Sequence, residues 1–103
     1  MKRSYVVSRA ALADLREITK YTVKTWGEAQ CRTYIAALEK SAEAVAKGEG
    51  IFKDMSWLIP DLRMVTSGRH YIFCMARAGK PALILAILHD QMDLMERLKE
   101  RLR

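Results

Sequence analysis

A chain of 103 residues, 50% hydrophobic and 29% charged, is long enough for one domain with a buried core and too short for two. That balance excludes a disordered chain, and no run approaches the roughly 18–20 apolar residues of a transmembrane helix. The net charge of +6 points to an acidic partner, whether nucleic acid, ribosome or protein, without choosing among them.

Lys2 and Arg3 have the look of a leader's basic start, but only Tyr5, Val6 and Val7 follow before charges and alanines resume, so a secretory leader is not expected. Tyr5–Val7 is predicted as a short strand lying at a sheet edge, and Ser8 as the N-cap of the helix behind it. From Arg9, Ala11, Leu15, Ile18 and Thr22 recur at steps of three and four, with Trp26 one step on, and Arg16, Lys20 and Lys24 share the outer face. One buried stripe is expected, ended by Gly27. A second helix begins at Glu28, buries Cys31, Ile35, Leu38, Ala42 and Val45 with Tyr34 at the border of the stripe, and stops at Gly48.

Glu49 to Asp61 is a connector whose Phe52, Trp57 and Leu58 should fold back on the core, with Trp57 as the anchor and a helical turn near Asp54–Leu58. Leu62–Ser67 and His70–Arg77 alternate as strands about a Gly68-Arg69 turn. After Ala78-Gly79-Lys80-Pro81 comes Ala82–Leu88, seven apolar residues in a row, which reads as a strand buried on both faces in the middle of a sheet. His89, Asp90 and Gln91 emerge where that strand meets solvent. Leu94, Met95, Leu98 and Leu102 then follow helical spacing within a basic tail of Arg97, Lys99, Arg101 and Arg103. This is one α+β domain over residues 1–103, β-α-α-β-β-β with a helical hairpin packed on an antiparallel sheet, plus a short C-terminal helix.

Several phrases carry a resemblance. They are Ala13-Asp14-Leu15 with Ile18 and Tyr21-Thr22, Trp26-Gly27-Glu28-Ala29-Gln30, and Tyr34-Ile35-Ala36-Ala37-Leu38-Glu39. Pro60-Asp61-Leu62-Arg63, Gly68-Arg69-His70-Tyr71-Ile72-Phe73 and Ile87-Leu88-His89-Asp90-Gln91-Met92-Asp93 complete the set. In order and spacing, from about Tyr5 to Asp93, the chain resembles the ParE branch of the RelE/ParE toxin superfamily. That resemblance implies the RelE/ParE-like fold and a toxin of a type II toxin–antitoxin module. Such toxins poison DNA gyrase and are neutralised in a hetero-oligomer by a ParD-type antitoxin, a ribbon-helix-helix protein with an acidic C-terminal segment. The cysteine usage and the missing apolar span lead to the expectation of a cytoplasmic protein with no membrane contact, and no sequence-specific contact of its own to nucleic acid is expected.

The sibling RelE branch cleaves mRNA on the ribosome, which requires a base for the 2′-hydroxyl, a cation for the phosphate and an acid for the leaving oxygen. Arg63, Arg69, His70 and His89 could supply such groups. Against this alternative, Asp90 would crowd a bound phosphate, and Lys53 stands alone where those nucleases carry several lysines. The expectation is therefore a gyrase inhibitor without catalysis. Its antitoxin- or target-binding residues are taken to be Arg63, Arg69, His70, Tyr71, His89, Asp90, Met92, Arg97 and Arg101, with His70 and Tyr71 on an exposed edge strand. The structural alternatives are a strand-capping His89, Arg63 and Arg69 paired with Asp61 and Asp90, and a terminal helix packed on its own sheet. Neither a phosphate loop, a metal constellation nor a Ser/His/Asp pattern calls for a cofactor, and Cys31 and Cys74 read as reduced, half-buried thiols.

Overall fold

The computed structural model describes residues 4–102; Lys2, Arg3 and Arg103 lie outside them. The elements are β1 (Tyr5–Val7), α1 (Arg9–Trp26), α2 (Glu28–Lys47), β2 (Lys53–Asp54), β3 (Leu62–Ser67), β4 (His70–Met75), β5 (Ala82–His89) and α3 (Leu94–Arg101). The sheet order is β1-β5-β4-β3-β2. β1 lies at an edge and runs parallel to β5, while the other neighbours are antiparallel. β5 is flanked on both sides, but β4 holds the exact centre, because the two-residue β2 adds a strand beyond β3.

Local signals set the helix ends. Ser8 accepts the Ala11 N–H at 3.0 Å, which satisfies one of the donors that a helix start leaves open. Gly27 alone joins the helices at φ +90°, donating to Val23 O and accepting from Cys31 N–H. Gly48 closes α2 in the left-handed conformation. The α1 stripe is buried at Ala11, Ile18 and Thr22, but Trp26 is 68% exposed, contrary to expectation: it is the last helical residue, at the open tip of the hairpin.

The sheet separates two apolar clusters. The helical hairpin face gathers Ala11, Ile18, Leu38, Ala42, Val45, Ile72, Cys74, Ile84 and Ile87. The opposite face gathers Met55, Leu62, Phe73, Ala86, Leu88 and Leu98. A bulge sorts β5 between them. Phe73 pairs with Ala86 but Cys74 with Ile84, so Leu85 is the extra residue. Ahead of the bulge the even residues Ala82 and Ile84 face the hairpin; beyond it the odd residue Ile87 does, and His89 with it.

One expectation in the connector is corrected. Trp57 is not the anchor; it is 66% exposed, and the buried residue is Met55. Asp54 explains this, since its carboxylate accepts both the backbone N–H and the hydroxyl of Ser56 and turns the chain just after Met55. The terminal helix packs on its own sheet. Asp93 caps it through Glu96 N–H, and Leu98 is fully buried.

Candidate functional site

The closed end of the β3–β4 hairpin, the end of β5 and the middle of α2 converge on one polar cluster. Gly68, at φ +58°, makes the tight turn, and a Cβ there would sit 2.6 Å from the Tyr34 ring. The hydroxyl end of Tyr34 therefore packs closely against the turn. Its hydroxyl accepts the Arg69 N–H at 2.9 Å, stands 2.6 Å from His70 Nδ1 and lies 3.4 Å from Ser67 O. With a neutral imidazole, the phenol O–H donates to Nδ1 and leaves the proton of His70 on Nε2.

His70 and His89 pair across β4 and β5. The Asp90 N–H donates to Arg69 O one step beyond, which makes the histidine pair a non-hydrogen-bonded one, where side chains stand closer. The rings meet edge to face with centroids 5.2 Å apart. His89 Nδ1 accepts the Gln91 N–H at 3.1 Å and lies 3.2 Å from Asp90 Oδ1, to which the Arg69 guanidinium donates at 3.3 Å. Burial, and then the neighbouring His89, hold His70 below the ordinary histidine range, while Asp90 and Asp14 pull weakly the other way.

Arg69, His70, His89 and Asp90 thus come together as the sequence suggested, with Tyr34 as a member that sequence reasoning left at a stripe border. Of the two pairings weighed as structural alternatives, Arg69–Asp90 forms, while Arg63 donates to Val45 O instead of pairing with Asp61. His70 and Tyr71, however, are not on an edge strand: β4 is the centre of the sheet, and only its end is reachable. Tyr71 alternates to the opposite face, packed against the second cluster.

Arg63 stands near the other end of β3. Its guanidinium donates to Val45 O at 3.0 Å, closes the C-terminus of α2 and lies over the Phe52 ring. Arg101 is likewise committed. It donates to both carboxylate oxygens of Asp14, at 2.9 and 3.1 Å, and to Leu85 O at 2.9 Å. Asp14 in turn accepts the Ile87 N–H, and Ser8 donates to Leu85 O. The three side chains satisfy the backbone of β5 where the short β1 gives out. Met92 and Arg97 are exposed.

Among the described residues no three His, Cys, Asp or Glu side chains gather as a metal site. Both cysteines are buried free thiols, and burial pushes Cys74 up to about 11, out of nucleophilic range. No helix among the described residues is long and apolar enough to cross a membrane.

Comparison with known proteins places the chain in a family. The family model described as "ParE toxin of type II toxin-antitoxin system, parDE" matches residues 5–94. A Toxin ParE from Escherichia coli is 55% identical over 100 residues, 97% of each chain. A Toxin ParE1 from Caulobacter vibrioides is 32% identical, covering 88% of this chain and 93% of the relative. One from Mycobacterium tuberculosis is 28% identical over 90% and 95%. The chain belongs to the ParE toxins of type II toxin–antitoxin systems.

Proposed function

We propose that this toxin acts by binding DNA gyrase and trapping it on DNA, with no catalysis of its own, and that a ParD-type antitoxin neutralises it in the cytoplasm through an acidic segment. The observation that carries the first part is the dispersal of the groups an mRNA nuclease would need. Arg63 serves the end of α2, away from the histidine pair, and Arg101 serves Asp14. Arg69, the arginine beside the histidines among the described residues, is already paired with Asp90, a carboxylate that would repel an incoming phosphate. His70 is tied to Tyr34 and held toward its neutral form. What is left is a recognition surface. The formal charge of +6 supports an acidic neutralising partner.

The test is a supercoiling reaction with purified gyrase, ATP and relaxed plasmid. Linear, gyrase-linked DNA should accumulate with the wild-type toxin and with His89→Ala that retains its fold. Normal supercoiling at high toxin concentration, or mRNA cut on translating ribosomes by the wild type but not by His89→Ala, overturns the reading.

A further inference from the structure

The outward crest of α1 carries a row of basic side chains. Arg9, Arg16, Lys20 and Lys24 are all exposed. At 100° per residue they fall within a narrow band of the helix surface, and at 1.5 Å per residue they extend over about 22 Å. Among the described residues none of the four forms an ion pair. The acid that could have neutralised the helix, Asp14, is turned inward and held by Arg101. The other acid of α1, Glu17, borders the band. Two exposed aromatics stand toward the C-terminal end of the helix, Tyr21 before the last lysine and Trp26 after it.

We propose that this crest is a sequence-independent contact for the phosphodiester backbone of DNA, engaged while the toxin sits on the gyrase–DNA complex; the second clause rests on the function proposed above. A row of unpaired cations along one straight helix matches a line of phosphates in charge and shape and offers no base-reading group, so the contact positions without specifying. An acidic peptide is the competing polyanion. The apolar groove of Leu12, Leu15 and Ile35 beside Arg16 and Lys20 is where an amphipathic one would seek burial. That groove takes in Arg16, Glu17 and Lys20 from the middle of the helix and does not include Arg9 or Lys24, so a ligand seated in it would leave the ends of the row unused.

The experiment measures binding of a 20-base-pair duplex by fluorescence anisotropy across a salt series, for the wild type and for Arg9→Gln/Arg16→Gln/Lys20→Gln/Lys24→Gln. Glutamine keeps the helix, which circular dichroism checks. Four phosphate contacts give a slope of log K against log salt of about −3.6, and roughly a 100-fold loss between 50 and 200 mM salt. The quadruple variant should lose both the affinity and the slope, while a second duplex of unrelated sequence binds the wild type equally. Equal duplex binding by wild type and variant overturns the proposal. So does a wild type that ignores DNA but binds polyglutamate through the same four residues. The supercoiling assay separates this proposal from the function it rests on. A variant that still poisons gyrase at the wild-type dose removes the crest and leaves the function standing. A wild type that binds duplex through the crest and does not touch gyrase removes the function and leaves the crest.

Discussion

The two faces of the sheet are built to different standards. One is covered by a hairpin of two helices whose stripes bury Ala11, Ile18, Leu38, Ala42 and Val45 together against Ile72, Cys74, Ile84 and Ile87. The other is covered by the eight-residue α3 and by a connector, and its helix contributes one fully buried side chain, Leu98. The hairpin face spreads its burial over many residues, so that no one of them holds the helices in place alone. The α3 face concentrates its attachment in Leu98 and in the Arg101–Asp14 clasp. A toxin with a distributed core and a lightly fastened helix can change the second without unfolding the first.

The largest expected effect tests that difference directly. Leu38→Ala and Leu98→Ala remove the same side chain from sites 2% and 0% exposed, and each loses about 2–5 kcal/mol at its site. The outcome should differ in reach. Leu38→Ala lowers the global midpoint of urea unfolding, whereas Leu98→Ala releases α3, so that amides of residues 94–102 exchange freely while β4 and β5 stay protected. Equal protection loss across the sheet in both variants would show that the two faces form one cooperative unit.

Next comes Gly68→Ala, which strikes the join between the hairpin face and the polar cluster. Left-handed backbone costs a non-glycine residue about 1–2 kcal/mol, and the new methyl would also meet the Tyr34 ring at 2.6 Å. A loss above 2 kcal/mol is expected, part of which Tyr34→Ala in the same chain should restore; no restoration would mean that the backbone strain alone is responsible.

Arg101→Ala is expected to be milder, about 1–3 kcal/mol. It leaves the Asp14 carboxylate, 17% exposed, with only the Ile87 N–H for a partner, and it leaves Leu85 O with the Ser8 hydroxyl as its remaining side-chain donor. Asp14→Asn/Arg101→Ala should cost less than the single change, because it removes the stranded charge. Exchange should rise in α3 and at Ile87 before it rises in α2.

How much of this was legible in the sequence depends on the reach of each interaction. Ser8, Gly27, Gly48 and the Gly68 turn act on neighbours within a few residues, and the elements they delimit stand where composition and spacing put them. Trp57 misled because size suggested burial, while the Asp54–Ser56 turn that sends Met55 inward is a matter of hydrogen-bond geometry. The Leu85 bulge is invisible in an unbroken apolar run, yet it decides that His89 shares a face with His70. Tyr34 and Asp14 show the limit most plainly. Their partners lie 36 and 87 positions away, and neither residue type announces a partner at such distance. A polar-tipped aromatic at the border of a stripe and an acid turned toward a basic tail are the faint signals that could have been followed.

The smallest effect concerns the one weakness of the sturdier face. His70 is half-buried on the hairpin side, between the Tyr34 hydroxyl and the His89 ring, with Asp90 and Asp14 as the carboxylates that reach it. Its affinity for a proton is lowered in the folded chain, by burial first and by His89 second. The unfolded chain therefore binds more protons once the pH falls below the ordinary histidine value of about 6.5, and stability must decline as acid is added through that value. Protonation also reverses the Tyr34 bond. Nδ1–H would then donate to the phenol oxygen, which already accepts the Arg69 N–H, and the phenol proton would be left with Ser67 O at 3.4 Å. Urea midpoints of the wild type should fall modestly between about pH 7 and pH 5, and those of His70→Gln should fall less. A midpoint that rises in that interval would show that Asp90 and Asp14 outweigh burial, and that the charged imidazole is the form the fold prefers.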